Sequence, residues 1–84
     1  GHLKADKNNP RHLGSSIPGT VGKVLVKGGD IVTENKALMT IEAMKMESNI
    51  LAKIDGVVDK IFIKEGDQLI ANQLVAKMKE DKQE

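Results

Sequence analysis

The sequence predicts an all-β domain, a sandwich or flattened barrel whose two halves are related by a pseudo-twofold axis. Three observations lead to this prediction. The second half of the 84-residue chain repeats the pattern of the first half. Short runs rich in β-branched residues alternate with turn residues every few positions, which is typical of small β sandwiches and barrels. No segment of useful length has the 3.6-residue period of an amphipathic helix.

The repeat becomes visible when the chain is shifted on itself by 37 residues, without any gap. Apolar positions between the identities keep their character, so two similar units, at 15–42 and 52–79, flank a central stretch. Two like halves that share one small core most simply pack about a twofold axis. The identical pairs are Ile17 with Ile54, Gly19 with Gly56, Val21 with Val58, Lys23 with Lys60, Lys27 with Lys64, Gly29 with Gly66, Asp30 with Asp67 and Asn35 with Asn72.

Composition narrows the classes of function. The chain has room for one domain, and its single aromatic residue, Phe62, leaves an aliphatic core. Its 13 basic and 12 acidic residues are scattered without a basic run, which argues against nucleic acid as a partner. The absence of cysteine is compatible with a cytoplasmic protein, and no apolar run approaches the length of a membrane span. We therefore expect neither a nucleic-acid nor a membrane partner.

In the first unit, residues 15–26 predict a strand that is interrupted by a Pro-Gly turn and is rich in β-branched residues afterwards. A Gly-Gly-Asp turn follows at 27–30, since glycine permits positive φ and aspartate can bond its neighbouring backbone. Residues 31–32 are briefly extended. After a turn at 33–36, with asparagine as its left-handed residue, a strand at 37–43 should place alternate side chains, beginning with Leu38 and Met39, on opposite faces.

The second unit repeats this order. Residues 47–54 predict the returning strand, and the Asp-Gly pair after it is a strong turn signal. Strands are then predicted at 57–63, 69–70 and 74–78, separated by a Gly-Asp turn and an Asn-containing turn like those of the first unit.

The two ends of the chain lack either structural period. We interpret residues 1–13 as a flexible linker or tag remnant and residues 80–84 as a flexible tail, which leaves 14–79 as the domain. His2 and His12 are the only histidines and lie in the predicted linker, where histidines are far more often solvated than bound to a metal. We expect no metal site.

The stretch Glu42-Ala43-Met44-Lys45-Met46-Glu47, between the two units, is the candidate site. On composition alone Lys45 is one more surface lysine, and the methionines beside it could be core residues. Its setting favours a function, because a lysine at the tip of a tight hairpin can enter another protein's active site as an acceptor amine. No activating base or oxyanion donor is visible around it, so we expect no catalytic residues in the domain itself.

Ala43-Met44-Lys45-Met46 resembles the biotin-attachment motif of biotinyl domains, and its Met-Lys-Met core is the specific part of the match. The patterns Pro18-Gly19-Thr20-Val21, Gly29-Asp30 and Asp55-Gly56-Val57-Val58 resemble the same family across residues 15–79. The lead-in Lys4-Ala5-Asp6, Asn9-Pro10 and His12-Leu13-Gly14 is similar to the linker that precedes the C-terminal carrier domain in bacterial pyruvate carboxylases.

The resemblance implies a barrel-sandwich hybrid of two four-stranded antiparallel sheets, with Lys45 on the exposed hairpin between strands four and five. It implies that biotin protein ligase attaches the cofactor biotin covalently to Lys45, with Ala43, Met44, Met46 and Glu47 as the recognition context. It also implies a carrier that moves a carboxyl group from a biotin carboxylase domain to a carboxyltransferase domain, where pyruvate becomes oxaloacetate. The tether would make each delivery intramolecular.

Two departures and two rival interpretations accompany the resemblance. Ile17 stands where the family more often has methionine. No extra loop interrupts 21–32, and the absence of this loop favours the pyruvate or propionyl type over acetyl-CoA carboxylase carriers.

A lipoyl carrier has the same fold, but its acceptor lysine usually follows aspartate, whereas Met44 precedes Lys45 here. An export-pump adaptor has similar Gly-Asp halves, but a long helical insertion normally separates them, and here the junction is a hairpin.

Overall fold

The computed structural model of the protein describes residues 3–80, and within that range it contains eight strands and no helix. The all-β prediction is therefore confirmed. The short strand predicted before the Pro-Gly turn, at 15–17, is wrong, whereas every later predicted strand overlaps an observed one. The strands are β1 (His12–Gly14), β2 (Gly19–Val24), β3 (Ile31–Val32), β4 (Ala37–Ala43), β5 (Met46–Leu51), β6 (Gly56–Ile61), β7 (Gln68–Leu69) and β8 (Leu74–Met78).

The strands form two antiparallel four-stranded sheets, one in the order β1-β8-β6-β3 and the other in the order β5-β4-β2-β7. Exchanging each strand for the one four places away along the chain converts the first order into the second. The topology thus has the twofold relation that the sequence repeat predicts. The sheets form a flattened sandwich and do not close into a barrel.

The Gly-Asp turns of the two halves match, and each turn bonds to the opposite half. Gly29 has a φ of 94° and Gly66 a φ of 90°, in the left-handed region that favours glycine. The Gly29 N–H donates to the Val58 carbonyl at 2.7 Å, and the Gly66 N–H donates to the Val21 carbonyl at 2.9 Å. Because Val21 and Val58 are equivalent in the repeat, the halves exchange the same bond, which helps to fix the twofold packing.

Aspartates at the ends of these turns hold them closed. One Asp30 oxygen accepts the Lys27 backbone N–H at 2.9 Å, and the other lies 3.2 Å from the Lys27 ammonium. Asp67 makes the same two contacts with Lys64, at 2.9 and 3.2 Å. The backbone N–H first, and then the lysine side chain, favours the charged carboxylate and lowers the pKa of both Asp30 and Asp67 below the ordinary value of 3.8.

The core between the sheets is aliphatic, as the composition predicts. In β4 the neighbouring residues Leu38 and Met39 are both fully buried, so the regular alternation predicted for this strand fails at Leu38. A register shift between Ala37 and Met39 in the pairing of β4 with β5 explains the failure, because an irregularity of this kind turns an extra side chain towards the same face.

The N-terminal boundary of the domain requires a correction. His12 and Leu13, which the sequence assigns to the linker, form strand β1 with Gly14, and Leu13 is 1% exposed. The Leu3 carbonyl accepts the Leu74 N–H at 2.7 Å, so part of the preceding segment also contacts strand β8. A three-residue strand is too short to show an alternation in sequence. The predicted flexibility of residues 3–11 stays a prediction, and His2 and most of the predicted C-terminal tail lie outside the described residues.

Candidate functional site

The candidate site is the hairpin that joins β4 to β5. The two strands pair from Ala37 with Leu51 to Ala43 with Met46, which leaves a loop of two residues, Met44 and Lys45. Both loop residues have positive φ, 53° for Met44 and 64° for Lys45. Two consecutive positive φ values define the type I′ hairpin turn, whose twist matches that of the paired strands and which normally contains asparagine and glycine. Here two residues with long side chains occupy it.

The pairing of β4 with a strand on each of its sides holds the turn in this conformation. Strand β4 lies between β2 and β5, and Ile41 is buried while Ala43 packs against the core. Gly19, at the start of β2, lies so close to β4 that an added Cβ would be 2.6 Å from the Glu42 carbonyl oxygen. The base of the hairpin is therefore fixed by close packing, although its tip projects from the domain.

The tip exposes apolar and charged groups together. Lys45 is exposed, and its neighbours Met44 and Met46 are 84% and 72% exposed. Large apolar side chains usually contribute to the core, as Met39 and Met78 do here with 0% and 1% exposure. Lys45 is thus an accessible amine between two accessible thioethers, which form an apolar surface that a partner can contact.

Two glutamates face each other directly below the tip. Glu42 of β4 and Glu47 of β5 are register partners, and both are exposed. Side chains of directly opposed residues lie on the same face of a sheet, where like charges destabilise the pair. The hairpin therefore presents a pair of carboxylates two and three residues from the Lys45 ammonium group, a distribution that a partner surface could recognise.

The hairpin can present an amine, and no candidate metal site accompanies it in the described part of the chain. Within residues 3–80, no three histidine, cysteine, aspartate or glutamate side chains come together as a metal site would require. The Nδ1 atom of His12, a histidine that the sequence places in a solvated linker, accepts the Asp6 N–H at 3.1 Å and is partly buried. No helix in the described part of the chain could span a membrane.

The structure brings together every residue that the sequence predicts for the site. Lys45 and its recognition context, Ala43, Met44, Met46 and Glu47, all lie in the last pairs and the turn of one hairpin. The sequence prediction missed the pairing of Glu42 with Glu47 and the left-handed conformation of the turn. A signal for the pairing was present, because a two-residue loop at 44–45 requires residues 42 and 47 to be opposed.

Comparison with known proteins finds one family along most of the chain. A family model described as "Biotin-requiring enzyme" matches residues 11–78. The pyruvate carboxylase of Staphylococcus aureus is 50% identical over 52 residues, which is 62% of this chain and 4% of that enzyme. The biotin carboxyl carrier protein of Streptococcus mutans is 61% identical over 36 residues, which is 43% of this chain and 28% of that protein.

A solved structure extends the similarity to nearly the whole chain. The lipoyl domain of the 2-oxoglutarate dehydrogenase complex of Azotobacter vinelandii superposes with a TM-score of 0.67 at 31% identity, over 94% of this chain and 95% of that domain. The chain is thus about as long as one such domain, yet it spans 4% of the length of the curated pyruvate carboxylases that it matches.

Proposed function

The chain belongs to the biotin-requiring enzyme family, and from this premise we propose that it is a biotin carboxyl carrier domain with biotin attached to Lys45. The observation that carries the proposal is the position of Lys45 in an exposed two-residue turn at the end of the β4–β5 hairpin. A partner enzyme can reach this amine without opening the fold, because the neighbouring side chains at the tip are also exposed.

The residues of the hairpin fit covalent attachment of biotin. Lys45 supplies the nitrogen of the amide bond and a flexible stem, and the paired strands fix the origin of that stem. Amide formation removes the charge of Lys45, which changes the formal net charge of the chain from +1 to 0. Biotin, when bound, supplies the reversible uptake of a carboxyl group. Met44 and Met46 supply an apolar recognition surface, and Glu47 a charged one.

The domain acts as a carrier, and its partners perform the chemistry. The residues beside Lys45 in the hairpin are two methionines and two glutamates, so we assign the activation of bicarbonate and pyruvate to the partners. A tethered group is delivered at high effective concentration, so a small rigid domain that presents it suffices. We assign the roles of partner to biotin protein ligase and to biotin carboxylase and carboxyltransferase domains, in the cytoplasm. The parent enzyme we propose is pyruvate carboxylase, on the strength of 50% identity over 52 residues.

A lipoyl carrier is the alternative that the fold allows, because a lipoyl domain superposes on nearly the whole chain. The residue before the acceptor lysine separates the two possibilities. Met44 occupies that position here, whereas the acceptor lysine of a lipoyl domain usually follows aspartate. Biotin is therefore the group that we propose.

Incubation of the chain with biotin protein ligase, ATP and biotin tests the proposal. We expect the intact mass to increase by one biotinyl group and peptide mass spectrometry to locate it on Lys45. Lys45→Arg should remain unmodified. Lys36→Arg is the matched control, since Lys36 is also an exposed lysine in a turn between strands, and it should be modified as fast as wild type. Label on Lys45→Arg, or lipoylation without biotinylation, would contradict the proposal.

A further inference from the structure

The four methionines of the chain fall into two groups with opposite environments. Met39 and Met78 are core residues with 0% and 1% exposure. Met44 and Met46, the residues on either side of Lys45, are 84% and 72% exposed. The two sulfur atoms that solvent reaches freely therefore both lie at the tip of the β4–β5 hairpin.

From this distribution we propose that Met44 and Met46 form a reversible oxidation site, at which hydroperoxides convert the thioethers to sulfoxides and thereby suppress modification of Lys45. The suppression rests on the proposed function of Lys45, whereas the oxidation site itself does not.

The reaction is a two-electron transfer of oxygen. A sulfur lone pair attacks one oxygen of the peroxide, so that a sulfur–oxygen bond forms while the oxygen–oxygen bond breaks. The hydrogen of the attacked oxygen passes to the departing one, which leaves as water or as an alcohol. Methionine is thereby oxidised and the hydroperoxide is reduced. Sulfoxide reductases reverse the change, with one enzyme class for each sulfoxide epimer.

Composition directs this chemistry to the hairpin. The chain has no cysteine, tryptophan or tyrosine, so no thiol, indole or phenol competes for the oxidant. Among the methionines, susceptibility follows access of the oxidant, and the core packing that covers Met39 and Met78 shields them. Met44 and Met46 are thus the side chains of the chain with which a hydroperoxide reacts first.

Oxidation alters the recognition surface and spares the fold. A sulfoxide replaces an apolar, flexible thioether by a polar and chiral group, which a partner must desolvate before it can contact the hairpin. Neither exposed methionine contributes buried area to the core, so the domain should melt at an unchanged temperature. We expect the ligase kcat/KM to fall on the order of tenfold, which corresponds to about 1.4 kcal/mol.

The test treats the 84-residue chain with hydrogen peroxide and removes the peroxide with catalase before biotin protein ligase is added. Peptide mass spectrometry should show sulfoxide at Met44 and Met46 well before Met39 and Met78. The treated chain should have the melting temperature of the untreated chain and a lower ligase kcat/KM, and both classes of sulfoxide reductase together should restore the rate.

Two double variants make the result specific. Met44→Leu/Met46→Leu should be biotinylated at the same rate before and after peroxide, each measured against its own untreated sample. Met39→Leu/Met78→Leu, whose substitutions are of similar volume in the core, should keep the sensitivity of wild type. Oxidation of Met39 or Met78 as fast as the hairpin pair would overturn the site, and an unchanged ligase rate after oxidation would overturn its effect on Lys45. Failure of the untreated chain to accept biotin would instead overturn the proposed function.

Discussion

Replacement of Lys45 by glycine should stabilise the domain while it removes the proposed attachment site. Lys45 has a φ of 64°, and a left-handed conformation costs a residue with a Cβ about 1–2 kcal/mol, a cost that glycine does not have. Glycine also increases the freedom of the unfolded chain, which costs about 0.5–1 kcal/mol. Because the Lys45 side chain is exposed, its loss removes no core packing. The net stabilisation should be about 0.5–1 kcal/mol, or about 2–8 °C in melting temperature for a domain of this size.

The matched control is Lys36→Gly. Lys36 is also an exposed turn lysine, but its φ is not positive, so glycine relieves no strain there and should destabilise the domain by about 0.5–1 kcal/mol. The chain lacks tryptophan and tyrosine, so unfolding in urea and on heating is best followed by far-ultraviolet circular dichroism. A melting temperature for Lys45→Gly that falls as far as that of Lys36→Gly would refute the argument from a strained turn.

Other predictions concern the turns, the tight approach of two strands and the charges of the hairpin. The stabilisation from Asp30 and Asp67 should be complete above their ordinary pKa of 3.8 and should be lost as the pH falls through their lowered pKa in the folded state. The melting temperature of Asp30→Asn/Asp67→Asn should therefore depend less on pH than that of wild type below about pH 4. Gly19→Ala should lower the urea midpoint of unfolding more than Gly56→Ala. The Cβ added at position 19 would lie 2.6 Å from a backbone oxygen, whereas the Cβ added at position 56 would lie 3.3 Å from the methyl group of a flexible methionine side chain. Glu47→Lys should lower the ligase kcat/KM. It should leave the melting temperature equal or slightly raised, because it removes the repulsion between two opposed glutamates. Equal ligase rates for variant and wild type would show that Glu47 takes no part in recognition.

The internal repeat was the strongest predictor of the fold, because it relates the strands and turns of one half of the chain to those of the other half. Strand β4 has the predicted bounds of 37–43, and the topology follows from the equivalence of the halves. Strand β1 escaped prediction because its three residues carry no period and because its partner, β8, lies at the other end of the chain. The residues of one short strand do not indicate which distant strand it pairs with, so this pairing could not be predicted from the local sequence.

The site was predictable in its residues and only partly in its conformation. Lys45 at a hairpin tip follows from the sequence, but methionine and lysine do not indicate a type I′ turn, which asparagine and glycine normally form. The register of β4 and β5 leaves two residues for the turn, and the twist of paired strands favours the left-handed conformation in such a connection, which both residues adopt here. Tertiary packing therefore overrides local preference at this point.

The hairpin combines a backbone held by strand pairing with an exposed lysine side chain, an arrangement that suits a carrier. Strand β4 is paired on both sides and β5 is paired with β4, so the fold sets the direction in which Lys45 leaves the sheet, and the Lys45 side chain is exposed. Any partner that must reach the end of that side chain meets the same outer surface, formed by Met44, Met46 and the opposed glutamates. Changes at this surface should consequently affect attachment and every later encounter together, whereas changes at the Gly-Asp turns should act through stability alone. A carrier whose tip changed conformation would present a different surface at each encounter. The pairing of β4 with β5 up to the turn avoids this, although it holds two residues in the left-handed conformation.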